Sequence, residues 1–197
     1  RLDSSADRMA KGTQALSNVG HEVAMREELQ AAVADLMAGL DPSRAVLSEQ
    51  DQLMLLDLAN VVTWARSAVV TDYQGNLIDV HAPEAPTRFA KCLAQVMRGA
   101  LSIGLDHDAA LSLAARVARD SMPPIRLQVL AAVAKHPGST TAQVRDMVQK
   151  PRTTVDRKLQ ELHGLGLLLQ ASDLGSSRWT YSLSSQLDAR VVGQLVA

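Results

Sequence analysis

The chain has 197 residues, carries a net charge of −1 and is 47% hydrophobic but only 3% aromatic. Ala and Leu dominate this composition, which favours a mainly α fold with little sheet. The length leaves room for two small domains. No apolar run reaches the roughly 18 residues of a membrane span, and the single cysteine, Cys92, excludes an internal disulfide. We therefore expect a cytoplasmic protein that does not enter a membrane.

Residues 1–121 are predicted to form a helical domain with one small β-hairpin. Residues 21–40 are Ala-rich and loosely amphipathic, which indicates a helix. Ser48 and Asp51 have the spacing of a capping box and would open a long, heavily buried helix. Two β-branched runs within residues 69–80 flank Gln74-Gly75-Asn76, the pattern of a hairpin.

Two more helices are expected before residue 122. One is predicted to follow Thr87 as its N-cap and to bury Cys92 in its apolar face. The other is predicted over residues 106–121. This domain would serve as a dimerisation module or a spacer.

Charge is distributed unevenly along the chain. From Met122 to Leu183 there are eight basic and four acidic residues, a net charge of +4. The remaining residues hold 12 basic and 17 acidic side chains, a net charge of −5. A basic segment in an otherwise acidic protein is typical of a phosphate-binding module.

Three short helices are predicted in the basic segment. Pro123-Pro124 can open the first, and Pro137-Gly138 would end it. Hydroxyls in residues 139–141 can cap a second helix that reaches about Gln149. After a turn at Lys150-Pro151, apolar residues recur at spacings of four and three on a third helix, at Val155, Leu159 and Leu162.

The opposite face of the third helix is polar. It consists of Thr153, Thr154, Arg157, Lys158 and Gln160, which suit phosphates or base edges better than a core. Two acidic residues, Asp156 and Glu161, dilute its charge and would repel phosphates if they pointed outward.

A strand, a turn and a second strand follow the third helix. Residues 167–170 and 179–183 are apolar or alternating, and the Gly/Ser/Asp cluster between them ends in Arg178. This order predicts a β-hairpin with a basic side chain near its tip.

Residues 122–184 resemble the winged helix-turn-helix of the MarR and ArsR classes of bacterial regulator. The matching runs are Thr141-Ala142-Gln143-Val144, Arg152-Thr153-Thr154-Val155 and the stretch from Leu159 to Leu168. The resemblance implies a third helix in the major groove of double-stranded DNA, with the hairpin as a wing on a phosphate or in the minor groove. The predicted DNA-binding residues are Thr141, Arg152, Thr153, Thr154, Arg157, Lys158, Ser177 and Arg178.

Signs of catalysis are absent from the sequence. It contains no Gly-rich phosphate loop, no His-Glu-x-x-His pair and no Gly-x-Ser-x-Gly turn. The five histidines lack metal-ligand spacing. We expect a protein that is not an enzyme and needs neither metal nor cofactor.

Three functions remain open at this point. In each of them residues 185–197 would form a dimerising or packing helix. The first is a transcriptional regulator that works as a homodimer. The second follows from a looser resemblance of residues 55–60, 87–91 and 120–126 to C-terminal regions of actinobacterial and phage-like proteins. In those proteins an ATPase-type domain precedes the similar region. The chain begins at Arg1 and not at a methionine. Under this hypothesis it would be the DNA-binding module of a longer, replication-type protein of a mobile element. The third is a winged-helix adaptor that binds proteins only.

Overall fold

The computed structural model describes residues 7–172 and 178–196. It is mainly helical, as the composition predicts. Within the described residues there are nine α-helices: Arg8–Ser17 (α1), Glu22–Ala38 (α2), Glu49–Arg66 (α3), Thr87–Ser102 (α4), His107–Asp120 (α5), Pro124–Lys135 (α6), Thr141–Val148 (α7), Arg152–Gly164 (α8) and Ala189–Val196 (α9). None of them is both long and apolar enough to cross a membrane.

In the part of the chain that the structure describes, five strands form two small antiparallel sheets. They are Val69–Thr71 (β1), Leu77–Val80 (β2), Ser139–Thr140 (β3), Leu168–Ser172 (β4) and Trp179–Leu183 (β5). The first sheet is the predicted hairpin of β1 and β2. In the second, β5 lies between β3 and β4, and Tyr181 is opposite both Ser139 and Gln170.

The first two helices lie outside the core. The side chain of Asp7 caps α1 by accepting hydrogen bonds from the backbone N–H groups of Met9 and Ala10. Neither α1 nor α2 contains a buried residue. Helix α1 was not predicted, because its apolar residues are few and widely spaced.

A local sequence signal explains where α3 begins, but the one predicted for α4 does not. The predicted capping box is confirmed: the N–H of Asp51 donates to Ser48 Oγ at 3.1 Å, and the N–H of Ser48 donates to Asp51 Oδ2 at 2.9 Å. Thr87 was wrongly predicted as an N-cap, because it is the first residue of α4 and Pro86 precedes it. The prediction for Cys92 was also wrong, because the cysteine is exposed while its neighbour Leu93 is buried.

One apolar core joins the two parts of the chain that were predicted as separate domains. It runs from Leu47 in front of α3 to Leu195 in α9. The last helix returns to pack against α3, α5 and α6, burying Val191, Val192 and Leu195. The basic segment is therefore held firmly against the helices that precede it.

A buried arginine adds a polar connection between these parts. Arg126 of α6 is 7% exposed, and its Nε donates to Glu161 Oε2 of α8 at 2.8 Å. Its Nη1 donates to the carbonyl oxygens of Ala65 and Ser67 at 2.9 and 2.7 Å. These carbonyls lie at the end of α3, where the helix has no partners of its own for them. Arg126 thus caps α3 and neutralises Glu161 at once.

A second connection joins the starts of α3 and α5. His107 Nε2 lies 2.7 Å from Asp51 Oδ1. The hydrogen bond to Asp51, and to a lesser extent the one to Asp108, raises the pKa of His107 above its ordinary value of 6.5. Burial opposes ionisation of Asp51, but the hydrogen bonds from Ser48 and His107 outweigh it and lower its pKa below 3.8.

This pair predicts a specific dependence of stability on pH. Its contribution is complete below the unfolded His107 pKa of 6.5 and is lost as pH rises through the raised folded value. It is also lost as pH falls from 3.8 through the lowered pKa of Asp51. Urea unfolding of the wild type and of His107→Gln should therefore show a larger stability difference at pH 5.5 than at pH 8.5. A difference that does not change with pH would contradict the ion pair.

Candidate nucleic-acid interface

The second and third helices of the basic segment meet at a tight turn. Thr140 caps α7 in a capping box with Gln143. Gln149 ends the helix in the left-handed region, with φ 55°. Pro151 then precedes the first residue of α8. Lys150, at the turn, is exposed.

Burial along α8 follows the predicted helical spacing. Val155, Leu159 and Leu162 are buried against the core. Arg152 and Thr153, in the first turn, are exposed, and Thr154 is half-buried. The start of α8 therefore presents polar side chains to solvent.

A concave surface lies between the starts of α7 and α8 and the strand β5. It encloses a cavity of about 390 Å³ lined by Thr140, Thr141, Ala142, Arg152, Asp156, Arg178 and Trp179. Arg152 and Arg178 are both exposed, and neither has an ion-pair partner among residues 7–172 and 178–196. We call this surface the α7–α8–β5 groove. Ser177, a predicted site residue, lies outside the described residues.

One carboxylate faces the groove. Asp156 is half-buried and accepts hydrogen bonds from Thr141 Oγ1 at 3.4 Å and from Gln160 Nε2 at 2.9 Å. Burial, and then the charge of Asp156, raise the pKa of Tyr181 above 10. The buried phenol of Tyr181 therefore stays neutral at neutral pH.

Two charged residues of α8 turn inward. Lys158 Nζ lies 2.5 Å from Glu161 Oε1, and Glu161 in turn is held by Arg126. Only 29% of the Lys158 side chain is exposed. Glu161 thus does not face solvent, and Lys158 is already paired within the protein.

The hairpin of β1 and β2 lies against the other side of α8, which the sequence did not predict. Arg157 is exposed, and its Nη2 donates to the carbonyl oxygen of Gln74 at the hairpin tip. Leu77 and Val80 of β2 lie closest to the bare backbone of Gly164. The positive φ of Gly75, +86°, explains the turn of the hairpin, but no local signal indicates its packing on α8, because the contact joins residues 83 positions apart.

Comparison with protein-family models, with curated proteins and with solved structures gave no match to this chain. The resemblance to MarR-like and ArsR-like regulators therefore remains a prediction from the residues. Within the described part of the chain, no three His, Cys, Asp or Glu side chains are grouped as a metal site would require.

Proposed function

We propose that this protein binds double-stranded DNA through the α7–α8–β5 groove. The observation that carries the proposal is the pair of exposed arginines, Arg152 and Arg178, at a polar concave surface built from two helices and a strand. Exposed guanidinium groups at such a surface suit phosphate oxygens, because they can donate several hydrogen bonds at once.

The order of elements supports this proposal. Helix α6, strand β3, helices α7 and α8, and the antiparallel pair β4 and β5 follow one another, which is the order of a winged helix-turn-helix. In that interpretation the first turn of α8 enters the major groove. The β4–β5 hairpin is the wing, with Arg178 on a phosphate or in the minor groove.

Binding to random-sequence duplex DNA across a salt series tests the proposal. Fluorescence anisotropy should show an affinity that falls as salt rises, with a log–log slope of about −0.9 for each phosphate contacted. Absence of binding at low salt would contradict DNA binding and favour the adaptor function.

We further propose that the protein acts as a transcriptional regulator that binds DNA as a homodimer. Helix α2 supports this proposal, since its 17 residues are all exposed. In proteins, most of the stability of a helix comes from packing its apolar face against other elements. That face carries Met25, Leu29, Val33 and Leu36.

A second copy of the chain offers a complementary surface. Helix α2 contains four acidic residues and one arginine, whereas the charged residues of α4 are Arg88, Lys91 and Arg98. Beside Lys91, an apolar groove of about 260 Å³ between α3 and α4 includes Leu55 and Leu56. We propose that α2 of one copy packs on this groove of the other.

The double variant Leu29→Glu, Val33→Glu should convert a dimer into a monomer, because two carboxylates would be buried in the apolar contact. Light scattering coupled to size-exclusion chromatography measures this change. Val46→Glu, at another exposed apolar position, is the control and should remain dimeric. A monomeric wild type would contradict the dimer and favour the DNA-binding module of a larger ATPase-type protein.

A further inference from the structure

The β1–β2 hairpin is fixed to α8 at two points about two helical turns apart. At Gly164 a Cβ atom would lie 2.5 Å from Leu77 Cδ2 and 3.2 Å from Val80 Cγ1, so β2 packs closely against the bare backbone of this glycine. At the hairpin tip, a Cβ atom on Gly75 would overlap the guanidinium group of Arg157. The hairpin therefore lies along the solvent-facing side of α8, with its tip toward the start of the helix.

The tip itself has a well-defined conformation. The side chain of Asp72 accepts hydrogen bonds from the backbone N–H groups of Gln74 and Asn76 at 2.9 and 2.8 Å. It also accepts one from the Asn76 side chain at 2.8 Å. These hydrogen bonds, above all those from Asn76, lower the pKa of Asp72 below its ordinary value of 3.8. Its carboxylate is thus engaged within the turn.

Tyr73 is the most exposed large side chain at this tip, with 95% of its surface accessible. Its hydroxyl accepts a hydrogen bond from Gln74 Nε2 at 2.9 Å, and its own proton remains free to donate. Beside Tyr73, Nη2 of Arg157 donates a hydrogen bond to the carbonyl oxygen of Gln74. The other donors of this exposed guanidinium are available to a ligand.

We infer that the hairpin tip also contacts DNA, next to the α7–α8–β5 groove. At this tip, Tyr73 contacts the sugar–phosphate backbone that flanks α8. The inference rests on the proposed function. A tyrosine offers a rigid apolar ring and a hydroxyl donor, both of which suit the backbone. The carbonyl oxygen of Gln74 positions the Arg157 guanidinium for a neighbouring phosphate. Tyr73 and Arg157 therefore contact the DNA backbone together.

The alternative arrangement is a tip that covers α8 and hinders DNA. The two arrangements predict opposite effects when Tyr73 is shortened. A contact would be lost in the first case, whereas an obstacle would be removed in the second.

The test is duplex binding by Tyr73→Ala, measured by fluorescence anisotropy across a salt series beside the wild type. We expect about fivefold weaker binding, the equivalent of one hydrogen bond, with an unchanged salt slope because tyrosine is neutral. Arg157→Gln should reduce the magnitude of the slope by about 0.9. Ile78→Ala, on the same hairpin and 65% exposed, is the control and should bind as the wild type does.

Equal or tighter binding by Tyr73→Ala, while the wild type binds duplex DNA, would overturn the inference and leave the proposed function intact. A wild type that does not bind at low salt would overturn both. A photo-crosslinking amino acid at position 73 gives a second readout that is independent of affinity. It should attach to duplex DNA, and the same group at position 78 should not.

Discussion

Arg126→Ala is expected to lower the free energy of unfolding by about 3–5 kcal/mol, the usual cost of removing one partner from a buried ion pair. The substitution leaves Glu161 buried with only Lys158 as a cation, and it deprives the carbonyls of Ala65 and Ser67 of their donor. For a chain of this length, the melting temperature should fall by roughly 10 °C. Urea unfolding followed by circular dichroism measures the change.

Two further variants show whether the loss comes from the buried network. Arg145→Ala removes an exposed ion pair with Asp146 and should cost less than about 1 kcal/mol. Glu161→Gln keeps the size of the side chain but removes its charge, and should recover part of the stability lost in Arg126→Ala when the two are combined. Equal effects of Arg126→Ala and Arg145→Ala would contradict a structural role for the network.

The double variant Arg152→Ala, Arg178→Ala is expected to bind duplex DNA with a salt slope smaller in magnitude by about 1.8, since two phosphate contacts disappear. Affinity at moderate salt should fall by roughly tenfold or more for each arginine, because hydrogen bonds to charged groups contribute more than neutral ones. Fluorescence anisotropy measures both quantities on the same DNA.

The matched control carries the same change in net charge at a distant place. Arg116 on α5 and Arg190 on α9 are exposed and paired with Asp120 and Asp188, and their double alanine variant should leave the slope unchanged. Lys158→Ala should also leave it unchanged, because Glu161 already holds that lysine. If the distant pair reduced binding as much as Arg152 and Arg178 do, the groove would not be the interface.

Much of the basic segment could be predicted from local signals. Pro124 begins α6 and Thr140 caps α7, and the apolar spacing of Val155, Leu159 and Leu162 sets the buried side of α8. Each signal acts within a few residues, so it can be found without the tertiary structure. The β1–β2 hairpin was predictable for the same reason.

The partners of individual side chains could not be predicted in this way. Helical spacing predicts Lys158 on the polar face of α8. Its side chain instead pairs with the buried Glu161. Glu161 is held by a salt bridge to Arg126, which lies 35 residues away in the sequence. The contact between Arg157 and the hairpin tip spans 83 residues. Cys92 was misjudged because an apolar neighbour does not show which side of the helix faces the core. Contacts between distant segments thus determine which of the predicted site residues already have partners within the protein.

Hydrogen exchange of the backbone amides with and without duplex DNA tests the α7–α8–β5 groove most directly. We predict slower exchange on DNA binding at residues 140–142, 152–157 and 178–181, with the amides of α4 and α5 unchanged. Protection confined to α1 and α2, or spread evenly over the chain while DNA is bound, would contradict the assignment of the groove as the DNA interface.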